Sequence, residues 1–274
     1  MGAICRKIIS PSYNRQHMIN FQYLSANREY LRLNFLLAKP FSHLVIDNFC
    51  EEEKLLRLYE DMPVIETKSR DYVFAANKFE KSGIEKISPL FKELYDDLTS
   101  PQFEAFLRFI SNENVFVDKA FHGGGIHQGK KNSFLDMHID FNYHPLHKMW
   151  YRHLNLLLYL NKDWKKEYGG QLKLKDLRTG EQNAIEVPFN RMIIQLTGKH
   201  TLHGYDLTHF PDGMYRTSIA AYAYSIHQHH IEKPRTTDWR PEDGNPVKKI
   251  LASIYDPAVK IKNKFFGSST AKNQ

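Results

Sequence analysis

The sequence predicts an α+β architecture, N-terminal helices packed against a double-stranded β-helix (jelly roll), on three observations. Apolar residues recur at helical spacing up to about residue 110; from about Val115 short apolar runs alternate with Gly, Asn and Asp turns; and His138 and Asp140 stand two apart inside one such run. A first helix is expected over residues 50–62, with Leu55, Tyr59 and Met62 on one face, and Ile87, Phe91, Leu94 and Leu98 mark the next. Ser100 caps a third helix, Pro101 fits its first turn, and Phe103, Phe106, Leu107 and Ile110 follow at helical spacing. Beyond it the chain reads as strands, including the run that follows Gly169-Gly170 and the run that opens at Arg216. No internal repeat is visible.

A chain of 274 residues, 42% hydrophobic, buries a substantial core, so disorder is excluded as the general state. Its two cysteines, Cys5 and Cys50, have no metal-ligand spacing and make no disulfide framework, which fits a reducing compartment. No apolar stretch approaches the ~18 residues of a membrane span, and the expected location is cytoplasmic. Gly2 meets only the start of a myristoylation pattern, because Arg6 stands where Ser or Thr is needed. Residues 1–39 are expected to be an accessory segment that packs through Phe21, Tyr23, Tyr30 and Phe35. Residues 227–274 form a basic segment, and from Lys248 onward Lys248, Lys249, Lys260, Lys262, Lys264 and Lys272 stand against a single acid, Asp256; a solvated helix with a loose tail is the favoured reading. His227, His229 and His230 have no carboxylate at matching spacing and are expected on the surface or the substrate rim.

Side chains of a strand alternate with period two, so His138 and Asp140 point to one face and are able to grip one ion. Isolated His-x-Asp pairs occur by chance, and context decides. His203, in Thr-Leu-His-Gly-Tyr, is the candidate third ligand of a 2-His-1-carboxylate facial triad, which leaves three coordination positions open. Thirteen positions later comes Arg216, with Ser218 on the same strand face. A planar guanidinium matches a carboxylate bidentately, as a dicarboxylate co-substrate would require, and Ser218 adds a hydroxyl donor.

Residues 152–161 read Arg-His-Leu-Asn-Leu-Leu-Leu-Tyr-Leu-Asn, followed by Lys162, Asp163 and Trp164 and then by Gly169-Gly170-Gln171-Leu172. This pattern resembles the prolyl-4-hydroxylase-like branch of the Fe(II)/2-oxoglutarate-dependent dioxygenases. Residues 40–63 resemble the usual entry to such domains, and residues 187–194 the strand before the distal His, so the resemblance covers residues 40–226 around a core at 115–226. It implies a cupin-like jelly roll with His138, Asp140 and His203 as Fe(II) ligands and Arg216 as partner of the distal 2-oxoglutarate carboxylate. Tyr159 falls where relatives place a tyrosine bonding that carboxylate, and Asn155 and Leu157 share its strand face; from alternation alone Tyr159 is a half-buried aromatic. Gln128 or His127 stands where relatives carry a cofactor-facing tyrosine, a departure from their pattern. The resemblance further implies O2 as co-substrate, ascorbate as reductant, and decarboxylation of 2-oxoglutarate to succinate coupled to attack on an unactivated C–H bond. Halogenating relatives replace the carboxylate by a small residue, so Asp140 implies hydroxylation.

Asn142, Tyr143, His144 and His147 follow the metal strand, and Asn142, Tyr143 and Arg152 are the candidate substrate residues. Their composition suits a polar substrate, a prolyl peptide, an amino acid or a related metabolite, and equally suits a solvated loop. The charge of +7 raises nucleic-acid demethylation, but that branch carries a second Arg six positions after the co-substrate Arg, where this chain has Tyr222. A cupin-like metal-dependent isomerase or hydrolase would not need Arg216 and Ser218, and a non-catalytic jelly-roll scaffold would not need to retain all three ligands.

Overall fold

The computed structural model describes residues 17–63, 65 and 73–266. The myristoylation-like start at Gly2 lies outside the described residues. Two helices, α1 (Phe21–Ala26) and α2 (Arg28–Leu37), precede strand β1 (His43–Asp47) and helix α3 (Glu52–Glu60). Strand β2 (Ala75–Lys81) leads to α4 (Pro89–Leu98) and α5 (Pro101–Ser111). The strand region then runs through β3 (Val115–Val117), β4 (Gly125–Ile139), β5 (Trp150–Tyr159), β6 (Leu172–Asp176), β7 (Gln182–Ile185), β8 (Arg191–Leu196), β9 (Thr201–Tyr205) and β10 (Arg216–Ile226). Strand β11 (Asp238–Trp239) and helix α6 (Pro246–Phe266) follow.

Helix starts are set by local chemistry. The Ser100 hydroxyl accepts from the Phe103 amide at 3.1 Å with Pro101 in the first turn, and Ser88 does the same for Phe91 ahead of Pro89. Ile87 therefore precedes α4 instead of belonging to it, because Ser88 and Pro89 place the boundary after it. Helix α3 is shorter than expected, and its buried contacts are Leu55 and Leu58, with Tyr59 and Met62 at the edge of the core.

All strand pairs are antiparallel, in the order β1-β8-β5-β10-β4-β9-β6-β7, with β2 and β11 added along β4 and β3 on β10. The main hydrophobic core fills the space between the helices and one sheet face, bringing Phe91, Leu94, Phe103 and Leu107 against Leu154, Leu156 and Leu158 of β5. A second cluster inside the roll joins Phe41, Leu172, Leu174 and Ile193 to Tyr159.

The N-terminal segment packs as expected through Phe21 and Phe35, but Tyr23 and Tyr30 face solvent on the outer side of their short helices. A buried carboxylate fastens its start: Asp97 on α4 accepts from the Met18 and Ile19 amides at 2.7 and 3.0 Å and meets His17 at 2.7 Å. The C-terminal segment is not wholly solvated either. Lys248, on α6, lies 2.9 Å from Asp136 on β4. Among the described residues no helix is long and apolar enough to cross a membrane.

Candidate active site

Strands β4 and β9 pair directly at His138 and His203, which places both imidazoles on one face with ring centroids 4.2 Å apart. Asp140 follows immediately after the end of β4 and points the same way, so period two carries one residue past the strand. Its oxygens lie 3.6 Å from His138 Nε2 and 3.4 Å from His203 Nε2, and one ligand atom from each residue falls within 4.8 Å of the others. The three side chains are only 7, 11 and 11% exposed. A local irregularity in the β4–β9 register between Leu135 and His138 brings the ligands into line, a feature with no sequence signal.

The donor set fits a divalent ion. His138 Nδ1 lies 2.9 Å from the Asp136 carbonyl, which assigns its proton to Nδ1 and leaves the Nε2 lone pair facing Asp140. Burial pushes His203 down to about 3, so this imidazole is neutral at pH 7. Burial alone would raise the Asp140 carboxyl, but Arg152, His203 and His138 outweigh it and hold the acid well below the usual carboxylate range. Two imidazoles and a carboxylate thus converge at 3.4 and 3.6 Å, and cis donors around an ion with bonds near 2.1 Å sit about 3 Å apart.

These ligands open onto a cavity of about 180 Å³. Arg216 stands at one end, where its Nε donates to the Gly170 carbonyl at 2.7 Å and an Nη donates to the Tyr159 hydroxyl at 3.3 Å. Its guanidinium stacks 3.9 Å from the centre of the Tyr205 ring. Arg216 is buried, yet among the described residues no carboxylate pairs with it. Ser218 pairs with Tyr159 in the β10–β5 register and lines the same cavity, as do Gln128 and His127 from β4. Burial raises the Tyr159 hydroxyl against the opposing pull of Arg216, so it remains a phenol and a donor.

At the other end lies Arg152, 3.1 Å from Asp140 Oδ2 and 3.6 Å from the centre of the Tyr222 ring, with its Nε donating to Asn155 Oδ1 at 2.9 Å. Asn155 in turn donates to Asp140 Oδ2 at 2.8 Å. Asn155, the expected co-substrate residue, lines the same cavity as Tyr159, and its position on β5, four residues before Tyr159, also brings it to the Asp140 carboxylate.

Asn142 and Tyr143 do not line the cavity. Both are buried under the returning chain: Asn142 accepts from the Arg235 amide at 2.9 Å and donates to the Lys233 carbonyl at 3.1 Å, while the Tyr143 hydroxyl accepts from the amides of Ile231 and Glu232. Their polarity serves that segment, because a buried backbone needs partners. His144 is buried beside Asp118, at 3.4 Å, and His147 is exposed. His227 bonds Ser225 at 2.9 Å and the His230 ring lies tilted against Tyr143, 4.4 Å between centroids, both outside the cavity. Residues the sequence did not flag complete the walls: Lys78 from β2, Tyr205 from β9, and Thr237 and Trp239 from the C-terminal segment. None belongs to a spacing motif.

Residues 124–224 match the family model described as the 2OG-Fe(II) oxygenase superfamily. No curated protein matches the sequence. Among solved structures, a Phytophthora capsici prolyl 4-hydroxylase aligns at 14% identity and TM-score 0.54 over 93% of this chain and 82% of its own. A Trichoplax adhaerens prolyl hydroxylase, solved with a peptide of hypoxia inducible factor, aligns at 16% identity and TM-score 0.51, covering 74% of this chain and 92% of its own. A Pseudomonas putida prolyl-4-hydroxylase gives 15% identity and the same TM-score of 0.51 over 74% and 99%. These likenesses show a shared fold, and the family match spans β4 to β10, the strands that carry His138, His203 and Arg216. Over residues 124–224, about a third of its length, the chain is thus similar to the 2OG-Fe(II) oxygenase superfamily.

Proposed function

We propose that this protein is an Fe(II)- and 2-oxoglutarate-dependent dioxygenase that hydroxylates an unactivated C–H bond of a polar substrate, with decarboxylation of 2-oxoglutarate to succinate and CO2. The observation that carries the reading is Arg216, a buried guanidinium without a carboxylate partner among the described residues, in the same cavity as His138, Asp140 and His203. A buried cation is costly unless an anion meets it, and a dicarboxylate reaching from the metal supplies that anion.

In this reading His138, Asp140 and His203 hold Fe(II), and the iron with 2-oxoglutarate and dioxygen supplies the oxidising chemistry. Arg216 grips the distal carboxylate of the co-substrate, with the Tyr159 and Ser218 hydroxyls as further donors and Gly170 fixing the guanidinium plane through its carbonyl. Arg152 and Asn155 both reach Oδ2 of Asp140 and would hold that carboxylate in place beside the ion. The near-complete burial of the ligands excludes bulk water from the reacting centre. Ascorbate is the expected reductant for oxidised iron. The remaining wall, with Lys78, Arg152, Tyr222 and Thr237, offers polar contacts to a polar substrate such as a prolyl peptide, an amino acid or a related metabolite. The catalytic unit is taken as residues 40–226, with 1–39 as an accessory segment.

Anaerobic titration of the apoprotein with Fe(II) and then 2-oxoglutarate tests the reading. The expected result is a weak visible charge-transfer band of the chelate that His138→Ala abolishes. Iron binding with no band on addition of 2-oxoglutarate would refute it.

A further inference from the structure

The chain does not leave the site after Arg216. Beyond β10, and beyond the family match, it turns back across the outer edge of β4 at the metal ligands themselves. Strand β11 pairs Trp239 with His138 and Asp238 with Ile139, and the Arg240 amide donates to the Met137 carbonyl at 2.7 Å. His203, His138 and Trp239 are thus successive partners across three strands, and directly paired residues present their side chains to the same face. The Trp239 indole lies against the His138 ring, 4.8 Å between centroids, and stacks on Phe74 at 4.9 Å.

Helix α6 sits behind this row and reaches it by two routes. The Tyr255 ring meets Phe74 and Trp239 edge-on at 5.9 and 6.1 Å. Lys248 donates to the Asp136 carboxylate at 2.9 Å, a pair whose side chains are only 13 and 11% exposed, and it also holds Asp243 at 2.7 Å. The Asp136 carbonyl is the acceptor for His138 Nδ1, and the Asp136 amide donates to the Phe74 carbonyl at 2.9 Å. One route therefore bears on the face of the His138 ring and the other on the peptide that orients it.

We propose that β11 and α6 form a clamp on the metal ligand His138, with Lys248 and Tyr255 as positioning residues that act on the metal site from outside it. The proposal rests on the reading of His138 as a metal ligand. Groups that orient ligating histidines typically contribute about 10- to 100-fold in metal affinity. The clamp applies that effect from a helix that touches neither metal nor substrate. It also gives the basic C-terminal segment a role its charge pattern does not suggest.

The test is a Co(II) titration of the full chain, followed by the visible d–d band of the bound ion, on wild type, Lys248→Met, Lys248→Arg, Tyr255→Leu and His138→Ala, with thermal unfolding of each apoprotein in parallel. Lys248→Met and Tyr255→Leu are each expected to raise the Co(II) dissociation constant about 10-fold and to change the band shape, which reports ligand geometry. Lys248→Arg is expected to restore most of the affinity. Unchanged affinity and band shape in both variants, whatever happens to thermal stability, would make α6 a packing element only and overturn the proposal. A wild-type band that survives His138→Ala would instead overturn the ligand assignment, and the clamp with it.

Discussion

At the Arg216 end of the cavity the inward-facing polar groups come from central strands: Arg216 and Ser218 from β10, Tyr159 from β5 and Gln128 from β4. Elsewhere the cavity wall is gathered from separate parts of the chain, with Arg152 from β5, Lys78 from β2 and Thr237 and Trp239 from the segment after β10. Among the described residues Arg216 has no carboxylate partner, whereas Arg152 pairs with Asp140 at 3.1 Å. In the proposed reading the difference separates two jobs: the Arg216 end is a charge on central strands that awaits an anionic co-substrate, and the rest is a wall toward the substrate assembled from added pieces.

That contrast predicts unequal responses to substitution. Arg152→Leu is expected to have the largest effect on folding, because it strands a buried carboxylate; apoprotein stability should fall by about 3–5 kcal/mol in urea unfolding, and Co(II) loading should recover part of the loss by supplying a new counter-charge. Equal losses with and without metal would show that Arg152 does not balance Asp140. A smaller and more selective effect is expected at the other end. A methyl group on Gly170 would lie 2.9 Å from Arg216 Cδ, and φ there is +74°, so Gly170→Ala should weaken 2-oxoglutarate binding about 10-fold, or about 1.4 kcal/mol, within the usual cost of such strain. Co(II) affinity should stay at the wild-type value; a parallel drop in both would erase the distinction between the two ends.

The third effect concerns pH and is spread over several units. Burial, with Lys78 adding to it, pushes His127 down to about 4, well below its ordinary 6.5. Above pH 6.5 both folded and unfolded chains hold this imidazole neutral and its contribution is complete. Below that the unfolded chain takes up a proton that the folded one refuses, so apoprotein stability should fall by up to about 1.4 kcal/mol per pH unit until about pH 4. His203, down at about 3, adds a slope of the same sign. Urea midpoints between pH 7.5 and 4.5 should therefore decline less steeply in His127→Gln than in wild type.

How much of this was legible in the sequence follows the same division. His138, Asp140, His203 and Arg216 were readable because the chemistry restricts residue type and strand alternation restricts the face, so two weak constraints multiply. Ser100-Pro101 was readable because a cap is a local event. Trp239 and Lys248 were not, since what recruits them is the return of the chain over β4, a tertiary event with no period or spacing of its own. Asn142 and Tyr143 look like solvent-facing loop residues for the same reason: composition cannot tell a polar side chain that meets water from one that meets a buried backbone. Tyr23 and Tyr30 failed in the opposite direction, as aromatic residues that their short helices turn outward.

Between the two imidazoles the decisive residue has no side chain. A methyl group on Gly204 would lie 2.6 Å from the Leu135 carbonyl oxygen and 3.0 Å from Asp136, so any larger residue there pries β9 away from β4 just beside the His138–His203 pair. In the proposed reading the bite of the metal site is thereby gauged by backbone contact one residue after the ligand His203. A change at a position with no functional group would then appear as altered metal preference while every coordinating atom is still present.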